Sequence, residues 1–548
     1  MSAPLSLVHG TSLVQEPGQG AQTIPAYLDA VRARHGARDA VVMRTADRRI
    51  CWSYDELHAR SVAVARALIA AGLGKDGRVG VLMANRPEYL ASVFGIAMAG
   101  GVTVALSSFS SAEELEHLVH ASAIGILLFD TRVMKKDFAA MLAGIDKGPF
   151  LHRLVQLDSV TDTDPAPPGY EGWDAFVASG AAVPDAQVAQ RAATVTPSDH
   201  GGIFFSSGTT SLPKGIVHAQ RAFCIQWWRW PRVFAMREPV VSWTGNGLFW
   251  SGNISLVIGT AFSTGGTAVL QPVFDAAAAL DVIEQERVTF LTGRPHQWAR
   301  VQAADNWASA DLSSLKYVTK GERIGEHPTV DTDWTTPMAF GTTETMTICT
   351  AFDADTSDAE YGGSAGAPLP GNSLKIVDPL TRAILPVGQA GEMCIKGPTL
   401  MSGYLGKSPE ACFDAEGYYR TDDGGRVDEQ GRFFWEGRLT DMIKTGGANV
   451  APEEVDAAIA SFPGVKRSQT VGVPDELLGE MVVACIVPVD GARVTESDLI
   501  AHLKARMASF KVPRRVLLLD EADFALTGNE KAKAADIRAV AVARLSDP

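Results

Sequence analysis

Between residues 40 and 129 the chain alternates, at short and regular intervals, between apolar runs of strand length and stretches with helical spacing. Residues 40–44 and 49–53 read as a strand pair. Residues 54–71 read as an amphipathic helix, with Leu57, Val62, Val64, Ala65 and Leu68 on or near one face. The pattern then predicts a strand at 78–83, a helix at 88–98, a strand at 102–106, a helix at 111–122 and a strand at 125–129. Ser111 and Glu114 supply an S-x-x-E cap for the helix at 111–122. A helix between two strands is the crossover that parallel strands need, and a parallel sheet must be covered by helices on both faces. The class is therefore α/β. A chain of 548 residues also exceeds what one hydrophobic core serves, so two or more core units are expected.

A Pro/Asp/Ala-rich stretch, 158–198, reads as surface connection with one short helix. An apolar strand at 201–205 follows it. The texture changes near residue 419. Residues 426–427, the turn Asp428-Glu429-Gln430-Gly431 and residues 432–435 read as a hairpin. Pro452 suits the first position of a helix running to 460. Strands at 467–472 and 481–488 and a helix at 495–507 complete a small α+β unit. The division expected is an N-terminal domain over 1–436, a hinge at 437–441 and a C-terminal domain over 442–548. No repeat of solenoid period is present.

The formal net charge is −14. Duplex binding needs a broad basic face, so nucleic acid is excluded as a partner. The six cysteines are scattered, with no C-x-x-C pair, as reduced core thiols in the cytosol would be. Residues 1–20 carry no signal-peptide pattern. The most apolar run, 91–106, is shorter than a membrane span and is interrupted by Gly100-Gly101. A cytoplasmic chain without a transmembrane segment is the expectation.

The segment Phe205-Ser206-Ser207-Gly208-Thr209-Thr210-Ser211-Leu212-Pro213-Lys214-Gly215 carries the strongest chemical signal. Small hydroxyl residues and glycine let backbone N–H groups converge on phosphate oxygens, and Lys214 adds a point charge. It is not a Walker A loop, because G-x-x-x-x-G-K-[ST] is not met. On composition alone it is equally a polar connecting loop.

That segment resembles the phosphate loop, [ST]-S-G-T-T-G-x-P-K-G, of the adenylate-forming superfamily: acyl-CoA synthetases, peptide-synthetase adenylation domains and beetle luciferases. Ser211 stands where the family has Gly. Further family motifs follow in order, from about residue 39 to about residue 538. The resemblance implies that Ser206, Ser207, Gly208, Thr209, Thr210 and Lys214 hold the phosphates of ATP. Phe340-Gly341-Thr342-Thr343-Glu344 resembles Y-G-x-T-E. There Phe340 would pack on adenine, Gly341 and Thr342 would border the nucleotide, Thr343 would touch the α-phosphate and Glu344 would hold Mg²⁺. A hard carboxylate oxygen beside a triphosphate suits that ion. Lys320-Gly321-Glu322 takes the place of the small-residue wall beside adenine, where the family has G-[AG]-[AGE]. Gly417-Tyr418-Tyr419-Arg420-Thr421-Asp422-Asp423 resembles G-[WY]-x-x-T-G-D. Asp423 would accept from the ribose hydroxyls, one per carboxylate oxygen, and Asp422 replaces a glycine. Gly437-Arg438-Leu439-Thr440-Asp441 resembles the hinge G-R-x-[KD]-[DS]. It would place Arg438 on ribose or phosphate, with Thr440 at the pivot. Gly363-Ser364-Ala365-Gly366 with Pro368, Pro370 and Gly371 resembles a structural signature.

Thr527-Gly528-Asn529-Glu530-Lys531 resembles T-x-x-G-K, which makes Lys531 the adenylation lysine, with Lys533 the neighbouring alternative. Loss of such a charge-stabilising contact costs about 10²–10³ in rate. Lys444-Thr445-Gly446-Gly447-Ala448-Asn449 resembles the loop that serves the second half-reaction, so Lys444, Gly446 and Gly447 would meet the thiol arm. An ordinary tight turn is the alternative. Trp250 stands where relatives carry a His or an aromatic between acyl pocket and thiol tunnel; a core tryptophan is an equal reading. His296 stands where relatives line the acyl pocket, although a lone His is more often structural, and Met346 hints at an aromatic, alicyclic or medium-length apolar substrate. Trp243 and Phe249 are further hints of an apolar pocket. The run Trp227-Trp228-Arg229-Trp230 reads as core or pocket wall rather than as base-stacking platform.

The resemblance implies a large N-terminal domain of stacked αβ subdomains with a small β-barrel-like part, and a small mobile α+β C-terminal lid. It implies an AMP-forming carboxylate–CoA ligase with ATP, Mg²⁺ and CoA. A carboxylic acid is first converted to acyl-AMP and then to the thioester. Transfer to a carrier-protein pantetheine, an amine or another acceptor is the alternative within the family. A nucleotide-binding inactive relative is the third reading, prompted by the departures at Ser211, Asp422, Thr440 and Glu530.

Overall fold

The computed structural model describes the chain except residues 1–3, 46, 161–168, 207–212, 321–322, 440–441, 446–447, 476–477, 505, 508–510, 525–533 and 547–548. The strand–helix rhythm is distributed over two sheets. The first has eight strands in the order Glu171–Gly172, Arg153–Leu157, Ile126–Asp130, Arg78–Leu82, Val102–Ala105, His200–Ser206, Lys214–Ala219, Gly403–Tyr404. Its first six strands pair in parallel and its last two antiparallel. The second has the order Phe290–Thr292, Val241–Thr244, Thr267–Leu270, Asp39–Arg44, Arg49–Ser53, parallel up to a final antiparallel pair. Asp39–Arg44 thus lies beside Thr267–Leu270, far away in sequence.

Helices Tyr54–Ala70 and Pro87–Met98 are shared by both sheets. One core cluster joins Val41 and Met43 of the second sheet, Val79 and Val81 of the first, and Leu57, Val64, Leu68 and Phe94 of the helices. The opposite face of the first sheet, with Leu82, Leu127 and Phe129, is covered by Leu115, Leu118 and Phe138 from helices Ala112–Ala121 and Phe138–Gly144. Adjacent residues of a strand therefore feed different cores, as the period of two requires. The Ser111–Glu114 cap forms reciprocally, with Oγ accepting from the Glu114 amide at 3.2 Å and the carboxylate accepting from the Ser111 amide at 2.9 Å. The stretch 158–198 carries two helices, Trp173–Ser179 and Asp185–Ala193, where one was expected.

The antiparallel part combines Leu7–His9, Ser373–Val377, Gly391–Lys396, Tyr419–Val427 and Phe433–Arg438 in one sheet with Ala339–Thr342, Thr347–Ala351 and Ala367–Pro368 in another. Cys349, Leu374, Met393, Val427 and Phe433 form their common core. From Ile443 onward a further sheet and the helices Pro452–Ala460, Glu496–Lys504 and Ala534–Ser546 pack around two clusters of their own. Trp227 and Trp230 are fully buried and Trp228 nearly so, so the tryptophan run is core. No helix among the described residues is long and apolar enough to cross a membrane.

Candidate active site

Three separate segments converge at the edge of the first sheet. The hairpin of His200–Ser206 and Lys214–Ala219 closes on the pair Ser206–Lys214, so the Ser/Thr/Gly segment is its connecting loop. Residues 207–212 lie outside the described residues, and of Ser206 only the backbone is described. Lys214 is exposed, with Nζ 5.9 Å from the Tyr404 ring centroid. Tyr404 lies on the neighbouring strand, and its hydroxyl donates to Glu344 Oε1 at 2.8 Å and shares a hydrogen bond with the Tyr419 hydroxyl at 2.8 Å. Burial, and then the Glu344 carboxylate, push the Tyr404 phenol well above its usual range, so it stays a donor at neutral pH.

Glu344 sits in a short helical turn, Thr343–Thr345, between strands Ala339–Thr342 and Thr347–Ala351. The turn leaves through Met346 and Thr347, both left-handed at φ 50° and 86°. Two side chains hold it from behind. His218 Nε2 lies 2.8 Å from the Thr343 carbonyl. Burial lowers His218 to about 4, so the ring is neutral and its one N–H is donated there. Gln226 Nε2 donates to the carbonyls of Met346 at 2.8 Å and Ile348 at 2.9 Å. Gly341 is obligatory: a Cβ there would stand 1.9 Å from the Thr347 oxygen.

Asp423 and Arg438 are ladder partners on the last two strands of the antiparallel sheet. The Trp435 indole donates to Asp423 Oδ1 at 3.0 Å, and Arg438 Nε stands 3.7 Å from the same oxygen. Burial raises the Asp423 carboxyl, and Arg438 opposes the rise. Phe340 meets Phe433 edge-on at 5.2 Å and approaches Trp435 at 6.4 Å. Phe340, Glu344, Asp423, Arg438 and Lys214 thus border one region, with Gly341, Thr342 and Thr343 as its backbone.

A pocket open to solvent is walled by residues of the strand-end loops. It lies at the carboxyl ends of strands from both parallel sheets, where open α/β sheets place ligands. Asn85, Phe109, Phe249, Trp250, Phe274 and Arg294 are among its walls. Asn85 ties the strand-end loops together, accepting from the Leu248 amide at 2.9 Å and donating to the Asn246 and Gln271 carbonyls. Trp250 packs on Phe249 at 5.0 Å, with the Arg294 guanidinium 5.8 Å from its ring. A Cβ on Gly252, two residues on, would lie 3.7 Å from Thr347 Cγ2, so this wall backs onto the Glu344 turn. Met346 and Trp243 are fully buried core residues outside the pocket's lining. His296 is placed in the helix Pro295–Gln302 by its backbone only. Lys444 is exposed, its amide donating to Glu480 at 2.9 Å. Gly321, Glu322, Gly446, Gly447, Thr440 and Lys531 with its alternative Lys533 lie outside the described residues.

The model of the AMP-binding enzyme family matches residues 28–405, and that of the AMP-binding enzyme C-terminal domain matches residues 454–531. The chain is 32% identical over 484 residues to the indoleacetate–CoA ligase of Aromatoleum aromaticum, covering 86% of this chain and 89% of that protein. The chain belongs to the AMP-binding enzyme family. A feruloyl-CoA synthase of Amycolatopsis is 30% identical over 498 residues, covering 89% of this chain and 93% of that one. In fold, this AMP-binding enzyme is similar to the anthranilate CoA ligase AuaEII in complex with anthranoyl-AMP. There the TM-score is 0.79 at 22% identity, over 98% and 100% of the two chains. ATP-bound MatB from Rhodopseudomonas palustris gives a TM-score of 0.75 at 24% identity, over 94% and 99%. The activity class is that of an AMP-forming acid–CoA ligase, with ATP and CoA as substrates.

Within this AMP-binding enzyme, Asp422 shows why the family pattern has glycine there: its φ is +58°, a left-handed conformation that costs a side chain energy. Lys320 is exposed, with Nζ 3.5 Å from Asp331. Sequence reasoning passed over Tyr404, Trp435, His218 and Gln226. The only signal for Trp435 was a large aromatic in a strand of otherwise ordinary hairpin pattern; Tyr404 had none.

Proposed function

We propose that this ligase activates an aromatic or alicyclic carboxylic acid. In this reading Phe340 packs on adenine, Asp423 and Arg438 take the ribose, and Lys214 with the loop 206–210 takes the phosphates. Thr343 and Lys531 stabilise the charge that builds at the α-phosphate as the acid attacks. The observation that carries the reading is the convergence of Lys214, Glu344 and Asp423 from three distant segments, together with an aromatic-walled pocket at the strand ends. The relatives named for indoleacetate, ferulate and anthranilate support the acid class.

The donor chemistry suits Mg²⁺ brought in on the triphosphate. Among the described residues no group of three or more His, Cys, Asp or Glu could hold a metal ion by itself, and Glu344 offers a hard oxygen bound to Tyr404, which Lys214 also approaches. The ion, when bound, neutralises phosphate charge. For the second step the C-terminal domain, 442–548, turns about the hinge 437–441 and brings Lys444 and the glycines 446–447 to the thiol. Two steps sharing one site require such a motion. In this reading Trp250, a wall of the pocket, borders the path of the pantetheine arm.

Pyrophosphate release with Mg·ATP over a panel of aryl, alicyclic and straight-chain acids, with and without CoA, tests this. Strong release on an aryl or alicyclic acid, with thioester product, supports it. Preference for straight-chain acids overturns the substrate class, and release indifferent to CoA moves the acceptor to a carrier pantetheine or an amine. Lys531→Ala should abolish acyl-AMP formation and spare transfer from preformed acyl-AMP.

A further inference from the structure

Trp435 is 42% exposed, although its neighbour Asp423 is only 2% exposed. The donors around Asp423 are distributed unequally. Oδ1 takes the indole N–H at 3.0 Å and faces the Arg438 guanidinium at 3.7 Å. Oδ2 is buried and takes no hydrogen bond from any described residue. A buried carboxylate oxygen without a donor is costly, so its persistence marks a place where a ligand's O–H belongs. Only tryptophan among the large apolar side chains combines a ring with an N–H that cannot accept. Phe or Leu at this position would leave both oxygens without that donor and the carboxylate free to turn about its Cβ–Cγ bond.

We propose that Trp435 is a positioning residue for nucleotide recognition: its indole locks Asp423 through Oδ1 and presents Oδ2 to the ribose diol. This rests on the reading of Asp423 as the ribose acceptor. A locked carboxylate cannot turn to compensate when one hydroxyl is missing, so it discriminates against deoxynucleotides. An unlocked one can, and its preference for ribose falls. Trp435 therefore sharpens selectivity more than it adds affinity.

The test is calorimetric binding of Mg·ATP and Mg·2′-deoxyATP to the full-length wild type, Trp435→Phe and Asp423→Asn, with thermal midpoints to confirm folding. The wild type should prefer ATP by about tenfold or more, as a site built around a ligand hydroxyl does. Trp435→Phe should weaken ATP only a few-fold and lower the preference by about fivefold. An equal loss for both nucleotides, with the ratio kept, would mean that Trp435 is merely structural and overturns the proposal. If Asp423→Asn collapses the preference while Trp435→Phe does not, the proposal alone falls. If Asp423→Asn changes neither affinity nor ratio, or the wild type shows no preference, the ribose reading of Asp423 falls with it.

Discussion

Replacing Gly341 by Ala should disable the first half-reaction while leaving most of the molecule folded. The added methyl would stand 1.9 Å from the Thr347 oxygen and 2.5 Å from Ile348 Cα. Carbon–oxygen contacts are tolerated near ~3.3 Å, so the two strands must part by about 1.4 Å. The Thr347 side is pinned. Its carbonyl accepts from Thr345 Oγ1 at 2.5 Å, and Gln226 holds the carbonyls on either side of it. The Gly341 side must therefore yield, and it carries Thr343 and Glu344. A misplacement of about 1 Å at reacting groups costs roughly 10²-fold in rate. The overpacking itself costs about 1–3 kcal/mol of stability. The assay is ATP-dependent pyrophosphate release on the best acid of the panel, with circular dichroism to confirm the fold. A folded Gly341→Ala protein whose kcat/KM stays within about threefold of wild type would refute the reasoning.

Three further outcomes are expected. Asp422→Gly removes a left-handed side chain worth about 1 kcal/mol but adds the chain entropy of glycine, about 0.5–1 kcal/mol, so the unfolding free energy should barely move. Removing its charge beside Asp423 should lower the KM for ATP, and an unchanged or higher KM in steady-state kinetics would contradict this. His218 is held near 4 against an ordinary value near 6.5, so below pH 6.5 the unfolded chain takes up a proton the folded one refuses. Its contribution is intact above pH 6.5 and is lost as the pH falls toward 4, at up to about 1.4 kcal/mol per pH unit. Urea unfolding should show His218→Gln losing less stability than wild type over that window, and parallel profiles would refute the assignment. Arg229 and Glu16 pair at 2.8 Å with both side chains fully buried. Arg229→Met should cost about 3–5 kcal/mol, much of it recovered by adding Glu16→Leu. If the double variant is no more stable than the single one in denaturant titrations, the buried pair is not the source.

Much of the candidate site was legible because its chemistry is local. The Ser/Thr/Gly segment, the Thr343–Glu344 turn and the Asp423 segment each carry their residue types within a few positions, and Gly341 shows why one of those positions tolerates no side chain. Asp422 was visible as a departure, but its backbone conformation was not. Tyr404, His218 and Gln226 were illegible, because each acts by reaching a distant residue, and Trp435 acts across the hairpin on Asp423, 12 positions away. Tyr404 and Glu344 are 60 positions apart, His218 and Thr343 are 125.

The sequence by itself determined the α/β class, the helices between residues 54 and 122 with the Ser111 cap, the antiparallel hairpin and the family, since periodicity, capping and contiguous motifs are properties of neighbours along the chain. Only the tertiary structure decided that Asp39–Arg44 leaves the rhythm of its neighbours to pair with Thr267–Leu270, and that two sheets therefore share one pair of helices. It also decided which oxygen of Asp423 is left for a ligand. Strand partners and carboxylate donors are chosen by the free energy of packing and of satisfying buried polar groups among residues far apart in sequence. A linear pattern of apolar and polar positions does not encode those pairings.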